Sequence, residues 1–189
     1  ITIDEWHRQK AVLANPEHYS DLALGFAAFF LNRTNRSGIL KAGVIGGKAQ
    51  SGAYKLDARF NKARLAKLIT RIAEQAEHIH VYNEDALHLI QRVDALIYLD
   101  PPYYVKVQLL YRNFYTHDDH VNICGALGNI ATKWIVSYDN CPEIKTIYQD
   151  YRQDEYSLAY CAYNKMKGSE VMIYGLNVEM PPQSMLKTA

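Results

Sequence analysis

Asp100-Pro101-Pro102-Tyr103 brings together residue types that suit one kind of chemistry. Each proline fixes its own φ, offers no N–H, and holds the residue before it in an extended conformation. The carboxylate of Asp100 and the carbonyls around Pro101 become fixed acceptors, and Tyr103 adds a flat aromatic face. Two fixed acceptors beside a stacking ring suit a planar group bearing an NH2, such as the exocyclic amine of a nucleobase. A proline turn with no ligand is the alternative reading of the same four residues.

The tetrad follows Ala95-Leu96-Ile97-Tyr98-Leu99, a short and mostly apolar run. Such a run reads as a buried strand of a parallel sheet. In open α/β sheets, ligands bind at the carboxyl ends of the strands, which is where the tetrad falls.

Around it the chain reads as helices and strands in alternation. Ile1 to Ala14 is a helix. Asn15-Pro16 opens a second one that runs to about Asn32, because Asn can cap and Pro fits the first helical position. Its Leu22, Phe26, Phe29 and Phe30 recur at helical spacing and read as core. Asn61 can cap a helix over Lys62 to Glu77, where Leu65, Leu68, Ile69, Ile72 and Ala76 make an apolar stripe. Ile79 to Tyr82 reads as a strand that ends at an acidic Asn83-Glu84-Asp85-Ala86, and Leu87 to Arg92 as a helical turn. Beyond a Tyr-rich loop, Thr116 starts a helix with Asp119 completing a capping box, and Val121, Cys124 and Leu127 on its apolar side. Lys133 to Tyr138 is a buried strand ending in Asp139-Asn140, and Pro142 starts a short helix that ends near Asp150. Tyr156 to Ala162 and Val171 to Leu176 are strands whose connection is too short for a parallel crossover, so they pair as an antiparallel hairpin. The class is α/β, an open sheet with one antiparallel excursion at its end. The expected organisation is a helical and Gly-rich region over 1–60, an α/β core over 61–178 and an irregular tail over 179–189.

Composition narrows the field. The 189 residues suffice for one domain with a real core, and the net charge of +1 says nothing of partners. Its distribution does. Between Arg33 and Arg64 there are eight basic residues and a single acid, Asp57, with Gly38, Gly43, Gly46, Gly47 and Gly52 interspersed. A flexible basic segment can follow a phosphate backbone, and a solvated loop has the same composition. Cys124, Cys141 and Cys161 are odd in number and widely spaced, which suits a reducing cytosol and no disulfide framework. No apolar run reaches membrane-spanning length, so no membrane partner is expected. His117 and His120 lack metal-ligand spacing, so no metal is expected. His78 and His80 read as surface residues, and Ser137 has no base partner for a hydrolase triad.

An ordered set of motifs carries a family resemblance. Asp100-Pro101-Pro102-Tyr103 after an apolar strand resembles the catalytic motif of amino-group methyltransferases that use S-adenosylmethionine. Phe29-Phe30-Leu31-Asn32-Arg33-Thr34 with Gly38 resembles the start of the target-recognition region of Dam-like DNA adenine methyltransferases. Tyr82-Asn83-Glu84-Asp85-Ala86 resembles that class's second cofactor motif. Trp134 to Asn140 and Gly168 to Ile173 resemble its later strands. The resemblance implies a Rossmann-like methyltransferase sheet, present in part, with the basic Gly-rich segment as a target-recognition insertion.

It also implies a site and a mechanism. Adenine in a duplex hides its amine, so the base must be flipped out. The flipped base would stack on Tyr103 and donate to Asp100 and to the carbonyl of Pro101, with Pro102 stiffening the turn. Transfer to N6 would be direct. Asp85, Ala86 and Asp100 would hold S-adenosylmethionine, the implied cofactor. Double-stranded DNA is the implied partner, through Asn32, Arg33, Arg36, Lys41 and Lys48, with Lys41 near where relatives read a guanine. Asn113, Phe114 and Tyr115 either cover the flipped base or simply pack. A cytoplasmic enzyme encoded by a bacterium or phage is the implied setting.

Three parts usual to that class do not occur in the sequence: a Pro-Gly-Gly-Lys-like start, a Phe-x-Gly-x-Gly-like strand–turn and the acid-ended strand after it. Gly46-Gly47-Lys48 lies on the wrong side of the recognition region to replace them. The chain thus resembles the carboxyl-terminal part of such an enzyme. The expectation is weak cofactor binding, little activity from the fragment alone, and self-association through an open sheet edge. A non-catalytic DNA-binding remnant and a methyltransferase acting on RNA stand as alternatives.

Overall fold

A computed structural model describes residues 1–105, 115–160 and 166–179. Asn113, Phe114, Cys161 and Pro181-Pro182 lie outside the described residues. The backbone divides into two compact units, Ile1–Val81 and Tyr82–Ala189.

The first unit is helical. Thr2 caps α1 (Ile3–Ala14) by accepting from the Glu5 N–H at 3.2 Å. Asn15 does not open the next helix. Its amide donates back to the Ala11 carbonyl at 2.9 Å, which closes α1 instead. Pro16–His18 is one 3-10 turn, Tyr19 is extended, and Ser20 caps α2 (Asp21–Thr34). The buried residues of α2 are Ala27, Phe30, Leu31 and Thr34. Leu22, at 84% exposure, and Phe26, at 47%, are therefore outside the core where spacing placed them. Phe30 and Leu31 pack with Trp6, Val44 and Leu56.

Asn61 caps α3 (Lys62–Ala73), accepting from Arg64 N–H at 3.0 Å. The helix ends before Glu77, and a 3-10 turn follows at Ala76–His78. Its apolar stripe is real in the sequence but not buried: Leu68, Ile69 and Ile72 are all exposed. The strand expected over Ile79 to Tyr82 does not form. A strand exists through its ladder, and no described strand pairs with these residues.

The second unit is mixed α/β. Its elements are α4 (Ala86–Arg92), β1 (Ile97–Leu99), α5 (His117–Gly128), β2 (Trp134–Asp139), α6 (Pro142–Ile147), β3 (Arg152–Tyr160) and β4 (Met166–Tyr174). The strand order is β1-β2-β4-β3. β1 runs parallel to β2, and β4 is antiparallel to both β2 and β3. The expected hairpin is thus present. It starts four residues earlier than its alternation suggested and extends along Arg152↔Tyr174 to Tyr160↔Met166.

Trp134, Val136 and Tyr138 alternate inward from β2 and meet Ile90, Ile123, Leu127, Ile144, Val171 and Ile173. Burying aliphatic side chains of this size stabilises by about 1.5–3 kcal/mol each, so this cluster fixes β2 as the sheet's spine. Thr116 and Asp119 form the expected capping box of α5. The buried face of α5 is His120, Ile123 and Leu127, while Val121 is exposed. β1 is one of the two edges of the sheet among the described strands, with β3 the other, and Leu96 and Tyr98 are exposed along it.

Candidate active site at the carboxyl end of the sheet

Register places the tetrad. Leu99 is the last β1 residue in the ladder, opposite Val136. Alternation along parallel strands then puts Tyr98 and Asp100 on the face shared by Ile135 and Ser137. Ser137, buried on β2, has its Oγ 2.9 Å from the Tyr98 hydroxyl and 3.1 Å from Asp100 Oδ1. A serine carries one hydroxyl proton. When Ser137 donates it to the Asp100 carboxylate, Tyr98 becomes the donor to Ser137. This relay holds one oxygen of Asp100, while the residue stays exposed. Pro101 is buried, and Pro102 and Tyr103 are half-buried.

Two acids grip the loop that follows. Asp139 ends β2 and is buried. Its Oδ1 accepts from the Tyr104 N–H at 2.8 Å and its Oδ2 from the Val105 N–H at 2.9 Å. Glu170 stands opposite Asp139 in the β2–β4 ladder and is 3% exposed. Its Oε1 accepts from the Tyr103 hydroxyl and its Oε2 from the Tyr156 hydroxyl, both at 2.6 Å. Like charges directly opposite in a ladder repel, and hydrogen bonds to the charged form offset that cost. Here four donors supply them. Sequence reading placed both acids only within strand motifs. For Asp139 the available signal is an acid at a strand's end, and for Glu170 an acid inside a strand; using either requires knowing the strand pairing.

An aromatic box backs the same loop. His120 is fully buried, with Nδ1 2.9 Å from the Tyr138 hydroxyl. Its ring lies against Tyr104, Tyr115 and Tyr138. Burial lowers its basicity below the ordinary imidazole range, while Asp119 and Asp139 oppose that and His117 adds to it. Burial raises the Tyr115 phenol, and the charges of Asp85 and Asp119 raise it further. Asp85 is the N-cap of α4 and accepts from the Leu87 N–H at 2.8 Å, and Ala86 opens the helix. An apolar groove of about 220 Å³ runs between α4 and β1, lined in part by Ala86, Leu89, Leu96, Tyr98 and Leu99.

The basic candidates lie in the first unit. Asn35, fully buried, organises the turn that carries them. Its Oδ1 accepts from the Trp6 indole at 2.6 Å, and its amide donates to the carbonyls of Ile39 and Leu40 at 2.9 Å. The backbone then returns, with Arg36 N–H donating to Gly43 O and Ile45 N–H to Thr34 O. Gly46 has φ +81°, and a Cβ there would lie 2.5 Å from the Tyr54 carbonyl, so only glycine fits this close approach. Arg36, Lys41 and Lys48 project as exposed side chains. Arg33 is partly buried, and its Nε has no hydrogen-bond partner among the described residues. The Asn32 amide donates to Gly38 O at 3.1 Å and closes the turn.

Among the described residues, no group of three or more His, Cys, Asp or Glu is placed to hold a metal. None of the described helices is long and apolar enough to cross a membrane. The model for D12 class N6 adenine-specific DNA methyltransferases matches residues 13–162. No curated protein matches the chain.

Proposed function

The chain belongs to the D12 class N6 adenine-specific DNA methyltransferase family, and from that premise we propose that Asp100 to Tyr103 receives a flipped adenine for methylation at N6. The observation that supports this most is the tetrad's placement. It leaves the carboxyl end of a strand in a parallel pair, with Asp100 exposed and its Oδ1 already bound by Ser137. The other oxygen of Asp100 and the carbonyl of Pro101 would accept the amine's two protons. Tyr103 would supply the stacking face. Such fixed acceptors favour the geometry in which the nitrogen lone pair is exposed, and most of the catalysis would be positioning. β1 and β2 are read as part of a Rossmann-like sheet.

S-adenosylmethionine, when bound, supplies an activated methyl group on a sulfonium. By this reading Asp85, Ala86 and Asp100 would hold it. The donor chemistry fits in kind. Asp85 and Asp100 are exposed carboxylates, suited to amine and hydroxyl groups, and the groove beside Ala86 is apolar and suited to a flat ring. The exposed Arg36, Lys41 and Lys48 are proposed to meet the DNA backbone, with Arg33 and Asn32 shaping that surface.

The test is transfer of a labelled methyl group from S-adenosylmethionine to defined duplexes by the full-length protein. Label recovered as N6-methyladenine supports the reading. Label on RNA alone, or none on any duplex that the protein binds, overturns it.

A further inference from the structure

We propose that Glu170 is a positioning residue that sets the plane of the Tyr103 ring, an inference that rests on the reading of Tyr103 as the stacking face. The plane of an aromatic ring is set by its χ1 and χ2 angles, and a bond at the ring's far end restrains both. The Tyr103 hydroxyl is held: it donates to Glu170 Oε1 at 2.6 Å. The acceptor is itself immobile. Glu170 is buried in β4, in the ladder opposite Asp139, and its other oxygen takes the Tyr156 hydroxyl of β3 at 2.6 Å. Both carboxylate oxygens are thus committed, and the phenol bond is tied to two strands of the sheet rather than to the loop. Asp139 meanwhile fixes the backbone of the next two residues. The loop's main chain and its aromatic ring are clamped by separate acids from adjacent strands. A neutral phenol donating to a carboxylate is a strong, short bond, and it holds the ring before any base arrives. Misplacing a reacting group by about 1 Å costs up to a hundredfold in rate, so a ring preset in its stacking plane acts on turnover more than on DNA affinity.

The experiment is a double-mutant cycle of Glu170→Gln and Tyr103→Phe, with two readouts. The first needs no activity: the Tyr103 ring 13Cζ resonance in tyrosine-labelled protein, assigned by Tyr103→Phe. It is expected to shift in Glu170→Gln, and an unchanged resonance overturns the proposal. The second is single-turnover methyl transfer with DNA affinity measured beside it. Each single variant is expected to lose about tenfold in rate at unchanged DNA affinity, and the double variant to lose no more than either one. Multiplicative losses, or a Tyr103→Phe rate equal to wild type, overturn it. Urea unfolding of each variant is the folding control, and rates are compared only at denaturant-free conditions where all variants are folded. Wild-type protein that transfers no methyl to adenine overturns the proposed function, and the ring's stacking role with it, even where the resonance shifts.

Discussion

Ser137 on β2 places its hydroxyl 3.1 Å from one carboxylate oxygen of Asp100, the residue that leaves β1. The bond exists because the parallel register sets the two strand ends side by side. Its consequence is an exposed carboxylate with one oxygen held by the neighbouring strand. Ser137→Ala is expected to slow methyl transfer by about tenfold, since it loosens that orientation without removing the charge. DNA affinity is expected to stay at the wild-type value. Single-turnover rates beside a binding titration check both halves.

Asp100→Ala removes the acceptor itself. Transfer is expected to vanish while duplex binding persists, because the proposed phosphate contacts lie on the basic segment. Turnover near wild type in this variant would remove Asp100 from its assigned role.

Asp139→Ala is expected to act on stability first. It leaves the Tyr104 and Val105 N–H groups without their acceptors, and losing one partner of such bonds costs about 1–3 kcal/mol. Urea unfolding reads the loss, with Asp139→Asn expected to fall between the alanine variant and wild type.

His120 makes stability depend on pH. Its folded pKa lies below the unfolded value of 6.5, chiefly through burial, so the unfolded chain takes up the proton first as pH falls. The stability held by the neutral ring is therefore full above the unfolded pKa and is lost as pH drops through and below it. The groups facing the ring are Tyr104, Tyr115 and Tyr138, with Asp119, Asp139 and His117 acting through charge. The urea midpoint is expected to fall between about pH 7 and pH 5, and to fall less in His120→Gln. Equal slopes in both proteins would remove His120 as the cause.

The basic turn should show itself in salt. Arg36→Ala and Lys41→Ala are each expected to reduce the slope of log affinity against log salt by about one. Changes that are uniform across duplex sequences mark phosphate contact. A loss confined to one sequence marks base reading instead, which is the outcome that would single out Lys41.

Part of the candidate site's local structure is legible in the residues themselves. Two prolines after an acid stiffen a turn in any fold, and Thr116 with Asp119 caps a helix through local bonds alone. The tetrad's place at a strand's end followed from its apolar run. A local signal misleads where it has a competing local partner. Asn15 was expected to cap forward but bonds back to Ala11. The apolar stripe of α3 and the run from Ile79 to Tyr82 were legible as patterns, yet a pattern names a face to cover and not what covers it.

The sequence by itself determined a stiff turn at Asp100 to Tyr103 and the acceptors and ring it carries, because backbone restriction and side-chain type are local properties. Tertiary structure alone decided what holds those groups in place. Ser137, Asp139 and Glu170 lie 37, 35 and 67 residues from their partners in the tetrad and its loop. They meet those partners only because β1, β2 and β4 are neighbours in a defined register. Strand pairing is a long-range choice made by the whole core, and no spacing within a single element records it.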